Sequence, residues 1–287
     1  MRLAAALGAM TLAGLFLVFL DRVWGGLATW LQGLIAMAMP PALVFLAEAL
    51  AAAGRDRWFV TLAAWFAVFA FLIDLRLLAV IVNHPSGFEI TFAAGAFAAA
   101  LGHRHLAASL TGLGVATAAA SLAALVALAD GAVAAALAHR LEPFLVLGVV
   151  AYGGGRAMPR WPLAIGLSWR VAGLALAGTA LLLLARPGTS MLGGDAAQVA
   201  TLYAIAAMLV FAVLLVGGLY RRRPESAYGG LVLLWLLAVE RGEAWLEDVL
   251  PPSVGMLLLL LSLGVLYGLM RLVHARFVNG RNAGEEP

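Results

Sequence analysis

The chain has 287 residues, of which 64% are hydrophobic and only 11% are charged, and its formal net charge is +3. Soluble domains are about half apolar and a quarter charged, so this composition excludes a soluble globular protein. The positive charge does not indicate nucleic-acid binding, because the basic residues lie at the ends of apolar segments, where they orient membrane helices. The chain is therefore predicted to be an integral membrane protein whose partner is the lipid bilayer in which it is embedded.

Two residue types are missing altogether, cysteine and lysine, so that all 18 basic residues are arginine. The missing lysines are typical of a GC-rich, bacterial genome. Without cysteine there are no disulfides, thiolate nucleophiles or cysteine metal sites, and without lysine no Schiff-base cofactor can form. The five histidines lie at different predicted depths and show no HExxH spacing. We therefore predict no metal, no cofactor and no catalytic residue, and an enzyme is the less favoured class.

Ten apolar segments follow one another along the chain, and the alternating pattern of a β-barrel is missing. In lipid, backbone N–H and C=O groups can be hydrogen-bonded only within a helix or a closed barrel, so we predict an all-α, polytopic transmembrane helix bundle. The first segment is too long for a signal peptide and lacks a cleavage site, so we treat it as a span. The predicted spans are residues 3–20, 27–52, 59–82, 88–102, 106–128, 133–154, 162–184, 196–219, 228–248 and 254–272. The sixth contains charged residues, which leaves nine or ten spans.

The arginines predict the orientation of these spans. If the N-terminus is cytoplasmic, twelve arginines fall on the cytoplasmic side, and only Arg22, Arg140 and Arg186 fall outside. This asymmetry follows the positive-inside rule, so we predict both termini in the cytoplasm of a multi-pass protein of the cytoplasmic (inner) membrane. The run Arg221, Arg222, Arg223 is predicted to anchor the chain on anionic lipid.

The short linkers predict one integral membrane domain over residues 1–287, with no soluble domain. Ten spans divide into five and five, so a 5+5 inverted repeat is predicted, with halves 1–130 and 131–287. The number and orientation of the spans are similar to those of the ten-helix drug/metabolite transporters. This resemblance includes no sequence motif.

Two pairs of residues predict special helix geometry. Pro40 and Pro41 lie near the middle of the second span, where they remove backbone hydrogen bonds and are expected to act as a kink or hinge. Gly264 and Gly268 have the GxxxG spacing that lets transmembrane helices approach closely. The glycine pair could serve packing within the chain, which we favour, or a homodimer.

Five charged residues fall inside predicted spans: Asp74, Arg76, Arg170, Glu240 and Arg241. Asp74 and Arg76 are two positions apart on a helix, about 200° of rotation, so they cannot pair with each other. A charge near mid-membrane costs about 3 kcal/mol or more, so each residue needs a partner or a hydrated cavity. The five lie at overlapping predicted depths and are expected to form a polar cluster. Three roles of this cluster stay open. Its extra positive charge could bind an anionic solute, or one of its carboxylates could couple transport to protons. Alternatively, the charges neutralise one another and serve only the structure.

Three functions stay open from the sequence. The first is a secondary transporter or exporter that moves a small polar or anionic solute by alternating access. The second is a non-catalytic membrane subunit or scaffold of a multi-protein envelope complex, and the third is a lipid-handling membrane enzyme. A hydrated pocket at mid-depth would favour transport. A dry, ion-paired core beside an exposed apolar groove would favour a subunit, and a headgroup-sized cleft open to lipid would favour the enzyme.

Overall fold

A computed structural model describes residues 26–81, 88–127, 140–158, 161–246 and 252–282. These residues form nine α-helices, and none of them lies in a β-strand. The predicted all-α class is therefore confirmed for the part of the chain that the structure describes. The first predicted span, residues 3–20, and residues 133–139 of the sixth lie outside the described residues.

From the second span onwards the helices agree with the predicted spans to within four residues, except that the helix of the sixth span begins at Glu142, not at residue 133, and the helix of the tenth span continues to Asn282, not to residue 272. Their bounds are α1 Thr29–Ala52, α2 Arg57–Ile81, α3 Phe88–Arg104, α4 Ala108–Ala127, α5 Glu142–Ala157, α6 Leu163–Leu184, α7 Ala196–Tyr220, α8 Pro224–Leu246 and α9 Pro252–Asn282. Proline stands at the first position of α8 and α9, where its missing N–H leaves no helix hydrogen bond unmade.

Among the described helices, six are long and apolar enough to cross a membrane: α1, α2, α4, α6, α7 and α9. The protein is therefore a multi-pass helical membrane protein. Helices α3 and α5 are shorter, with 17 and 16 residues, and α8 carries several charged residues along its 23. These three are the helices for which length and composition alone do not establish a span.

The chain divides into two compact units, here called unit 1, up to Asn83, and unit 2, from His84 onwards. The predicted halves meet at residue 130, which lies outside the described residues, so the inverted repeat stays a prediction. Unit 1 contains the hairpin of α1 and α2. Its buried residues are mostly alanines, which let the two helices pack closely: Ala36, Ala47, Ala63, Ala64, Ala67 and Ala70.

Helix α1 continues through both of its prolines, Pro40 and Pro41, without a break in the helix. Pro40 is buried and Pro41 is exposed. The predicted hinge at this position is not tested by the helix bounds and stays a prediction.

Unit 2 contains three antiparallel helix hairpins, α3–α4, α5–α6 and α7–α8, and each is held together by glycines. A Cβ atom added to Gly114 would lie under 3.0 Å from the backbone of Ala99 on the opposite helix, and one added to Gly173 would meet the backbone of Tyr152 in the same way. The other glycines in such contacts are Gly95, Gly102, Gly148, Gly218 and Gly230. Helices in lipid gain little from the hydrophobic effect, so this close backbone approach is what holds each pair.

The second helices of the three hairpins pack side by side and run parallel. Gly112 of α4 lies against Ser168 of α6, and further along the helices Gly178 of α6 lies against Leu233 of α8. Helix α6 is the centre of unit 2, since its residues enter the core clusters formed with α4 and α5 on one side and with α7 and α8 on the other. Because α4, α6 and α8 are parallel, the three turns that precede them lie at the same end of unit 2.

Two of these turns place a non-glycine residue in the left-handed region. Leu106, before α4, has φ 54°, and Arg222, before α8, has φ 52°. In each turn the next amide donates to the carbonyl five residues earlier, at 2.8 and 2.7 Å respectively. This is the Schellman arrangement, which usually takes glycine, and it lets the chain reverse within a few residues. The short turns bring the arginines of the loops to one end.

Gly264 and Gly268 lie on α9, where a Cβ added to either would meet no described atom within 4 Å. Along α9 the single buried side chain among the described residues is Leu266. The predicted close contact at this glycine pair is therefore not made with the described part of the chain. The glycines that do pack closely, such as Gly95 and Gly173, lie in alanine-rich segments where their pattern does not stand out.

Replacing Gly173 with alanine tests the glycine contacts. We expect Gly173→Ala to lower the thermal unfolding temperature in detergent, because overpacking against the Tyr152 backbone costs about 1–3 kcal/mol. Gly153→Ala is the matched control, since it is helical and nothing lies within 4 Å of its added Cβ. The control should be neutral or stabilise by up to about 1 kcal/mol. Equal unfolding temperatures for the two variants would contradict the close approach of α5 and α6.

Candidate functional site

The predicted intramembrane charges fall in both units. Asp74 and Arg76 lie on α2 in unit 1, where Asp74 is half-buried and Arg76 is exposed. Neither side chain forms an ion pair or a hydrogen bond with a described residue of unit 1. Arg170, Glu240 and Arg241 lie in unit 2, on α6 and α8.

Arg170 forms a buried ion pair with Glu225, the residue that follows the proline at the start of α8. Only 14% of the Arg170 side chain and 8% of the Glu225 side chain are exposed. Arg170 Nε also donates to the carbonyl of Gly166 at 3.3 Å. Glu225 lies in the first turn of its helix, where the helix dipole favours a carboxylate. This ion pair therefore joins the two parallel central helices at the end that carries the short turns.

Glu240 and Arg241 form the polar contacts between α6 and α8 at the opposite end of these two helices. Glu240 Oε1 accepts a hydrogen bond from Arg186 Nε at 2.6 Å, just beyond the end of α6. Arg241 Nη2 donates to the carbonyls of Ala185 at 2.6 Å and Ala200 at 3.4 Å. The carbonyls at a helix C-terminus lack helical partners and carry partial negative charge, so Arg241 satisfies the end of α6.

Glu142 is a partly buried carboxylate that holds three groups, and sequence reasoning treated it only as an interruption of the sixth span. Its Oε1 accepts hydrogen bonds from Ser190 Oγ at 2.5 Å, the Met191 amide at 2.8 Å and Tyr203 Oη at 3.2 Å. The carboxylate thus fastens the loop after α6, and the start of α7, to the N-terminus of α5. Charge-assisted hydrogen bonds of this kind contribute about 1.5–3 kcal/mol each.

An apolar cavity of about 380 Å³ lies between α5, α6 and α7. It is lined by thirteen residues, among them Leu145, Val149, Tyr152, Leu174, Tyr203 and Val210. Val149 and Val210 are 57% and 46% exposed, so the cavity is a groove that opens between α5 and α7. The two tyrosine rings line it, but their hydroxyls are bonded elsewhere, to Ser226 and Glu142 respectively. The groove therefore suits an apolar occupant and offers no charge to a polar solute.

The arginines of unit 2 collect at the end with the short turns. Arg104 ends α3, Arg156 lies in the last turn of α5, and Arg221, Arg222 and Arg223 form the turn after α7. The C-terminal half of α9 reaches the same end, because His274 Nδ1 lies 3.0 Å from the hydroxyl of Tyr228, which is near the start of α8. This end is therefore strongly basic, as the sequence predicts for one side of the membrane.

Glu225, Arg186 and Glu142 are the polar residues that sequence reasoning missed as partners. Arg170 and Glu225 lie 55 positions apart in the chain, and Arg186 and Glu240 lie 54 apart. Only the parallel packing of α6 and α8 makes such residues neighbours, so no local pattern signals them. Within the described ranges, no three His, Asp or Glu side chains come together as a metal site would require.

Comparison with protein-family models, curated proteins and solved structures found no match to the chain. The function has to be inferred from the geometry.

The two ion pairs of α6 and α8 differ in burial, which predicts different effects on stability. Glu225→Gln leaves Arg170 buried without a charge partner, and we expect a loss of about 3–5 kcal/mol. Glu240→Gln is the matched control, because its partner Arg186 is 58% exposed and the pair should contribute about 1 kcal/mol or less. Thermal unfolding of the two variants in one detergent measures the difference. An equal effect, or a larger one at Glu240, would contradict the structural role of the Arg170–Glu225 pair.

Proposed function

We propose that the chain is a non-catalytic membrane subunit or scaffold of a larger envelope assembly. The observation that supports this is the combination found in unit 2, where Arg170, Glu225, Glu240 and Arg241 have partners within the chain and the groove beside them is apolar. A transport pathway for a polar solute needs groups that bind the solute and release it. Arginines held by carboxylates and carbonyls act instead as fixed contacts between helices.

We further propose ten spans in the cytoplasmic membrane of a bacterium, with both termini in the cytoplasm. The support is the clustering of arginines at the end of unit 2 that carries the short turns, whereas Arg140 and Arg186 lie at the other ends of their helices. Cytoplasmic loops carry the excess of arginine, so the basic end faces the cytoplasm. In this orientation Arg221, Arg222 and Arg223 anchor the turn on the anionic cytoplasmic leaflet.

The absence of native cysteine makes this orientation directly testable with single-cysteine variants. Met158 lies after α5 at the basic end and Met191 lies in the loop after α6, and both are about half exposed. We expect a membrane-impermeant maleimide to label Met191→Cys in intact cells, and Met158→Cys only after the membrane is opened. The reverse labelling would invert the topology, and labelling of both residues from one side would contradict the antiparallel α5–α6 hairpin as a membrane pair.

The surface proposed for the partner subunit, or for a second copy of the chain, is α9. Its side chains from Val254 to Val278 are almost all exposed, and Gly264 and Gly268 offer a site of close approach that no described residue fills. Such a glycine pair lets a helix of another subunit pack backbone to backbone. An unfilled surface of this kind is consistent with a protein that completes its packing in an assembly.

Gly264→Leu tests the subunit proposal without disturbing the fold of the chain. A Cβ added at Gly264 meets no described atom within 4 Å, so the unfolding temperature of the purified protein should stay unchanged or rise slightly, as for other helical glycines that are replaced. We expect the variant to lose the native complex, measured as its apparent mass after mild detergent extraction from its own membrane. Val265→Leu is the matched control, since Val265 is 62% exposed on the same helix and already carries a side chain.

An unchanged complex in Gly264→Leu would remove α9 as the assembly surface. A wild-type protein that is extracted as a monomer would remove the subunit proposal itself.

Solute transport is the second candidate, and the observation that favours it is Asp74 with Arg76. These charges lie within a long apolar helix and have no ion-pair partner among the described residues of their own unit. In this proposal they bind a small anionic solute or couple its movement to protons by alternating access, with α1 hinging at Pro40 and Pro41. A solute that raises the unfolding temperature of wild type, but not of Asp74→Asn, would favour transport over the subunit proposal.

A further inference from the structure

We propose that the groove between α5, α6 and α7 is a specific site for one anionic phospholipid. The lipid's hydrocarbon chain lies in the groove, and its phosphate lies at Arg156 beside the arginine turn of residues 221–223. This site does not depend on the subunit proposal or on the transport proposal, because it uses only the groove and the basic end of unit 2.

The shape of the groove fits a single chain. On α7 the lining runs from Tyr203 to Leu214, eleven positions along the helix, or about 16 Å. One leaflet of the hydrocarbon core is about 15 Å thick, half of the whole. The volume of about 380 Å³ lies within the range of small-ligand sites. The groove is therefore about as long as one acyl chain in one leaflet.

The groove is also placed correctly for a lipid of the leaflet at the basic end. Its lining on α5 ends at Tyr152, one turn, or about 6 Å, from Arg156. On α7 the lining ends at Leu214, about 10 Å from Arg221. If the lipid phosphate lies at the arginines, its glycerol spans the roughly 6–10 Å between the arginines and the end of the groove, and its acyl chain lies in the groove.

Charge complementarity selects an anionic headgroup over a neutral one. Arg156 is exposed, and its guanidinium carbon lies 5.1 Å from the centre of the Tyr152 ring that closes the groove. Arg221 is exposed in the turn that follows α7, the helix at the other side of the groove. Glu225, the acid nearest to this turn in the chain, is already paired with Arg170. The mouth of the groove thus carries positive charge and no free carboxylate from that turn, and guanidinium binds phosphate through two parallel hydrogen bonds.

The test is native mass spectrometry of the purified full chain in detergent, titrated with phosphatidylglycerol and with phosphatidylcholine that have the same acyl chains. Wild type should bind phosphatidylglycerol more tightly. Val210→Trp fills the groove and should weaken the binding of both lipids about ten-fold or more, because several methylene groups lose their buried site. Val213→Trp is the matched control, since Val213 lies on the same helix, is 69% exposed and does not line the groove.

Arg156→Gln tests the headgroup separately from the chain. It should weaken phosphatidylglycerol binding about five-fold, the attraction of one arginine for an anionic surface, and weaken phosphatidylcholine binding less, because the choline of that lipid offsets the charge of its phosphate. Arg276→Gln removes the same charge from α9, away from the groove, and should have no effect. Arg156→Lys should recover part of the preference.

Four results would overturn the proposal. The first is equal binding of the two lipids by wild type, and the second is equal lipid binding by Val210→Trp and Val213→Trp. The third is an equal loss in Arg156→Gln and Arg276→Gln, which would mean that the preference reflects net charge alone. If Val210→Trp does not fold, Ala206→Phe replaces it, because Ala206 is an exposed lining residue. Occupation of the groove by a copurifying protein helix in place of lipid would also contradict the proposal.

Discussion

Close backbone contact between helices is the constraint on which unit 2 depends. Lipid tails are as apolar as leucine, so burying leucine between helices gains little in a membrane, and packing has to come from van der Waals contact at short range. Glycines on the facing sides of α3–α4, α5–α6 and α7–α8 allow that contact, since any Cβ there would meet the backbone of the neighbouring helix. The three hairpins pack side by side, and α6 contacts both α4 and α8, which places α6 at the centre.

The charges of unit 2 follow from this arrangement. Parallel packing of α6 and α8 brings the start of one helix beside the start of the other, so the Arg170–Glu225 pair forms at one end and the Arg186–Glu240 pair at the other. A buried pair gains little net stability over apolar residues of the same size, but breaking it is costly. Such pairs therefore fix which helices are neighbours and in what register.

The groove marks the place where close packing stops. Helices α5 and α7 both contact α6, but they leave between them the groove, which is lined by valines, leucines and two tyrosine rings. Because the hydroxyls of both tyrosines are bonded to other residues, the groove presents hydrocarbon alone. The end of the groove at Tyr152 and Leu214 is the one nearer to the exposed arginines. The same hairpins that produce the central helix thus also produce an apolar groove beside it.

The sequence alone determined that this is a helical, multi-pass membrane protein. Hydropathy and helix-breaking residues act locally, so most predicted bounds from α1 onwards agree with the helices to within four residues, but α5 begins nine residues after the predicted start and α9 ends ten residues after the predicted end. It also identified Asp74, Arg76, Arg170, Glu240 and Arg241 as the charges that need partners. It could not assign those partners within unit 2, where Arg170 binds Glu225 and Arg241 binds the carbonyl of Ala185. It singled out Gly264 and Gly268, although Gly114 and Gly173 make the close contacts, because in an alanine-rich chain many glycines have the required spacing. Partners and contacts of this kind join residues that are far apart in the chain, and only the tertiary structure decides which helix faces which.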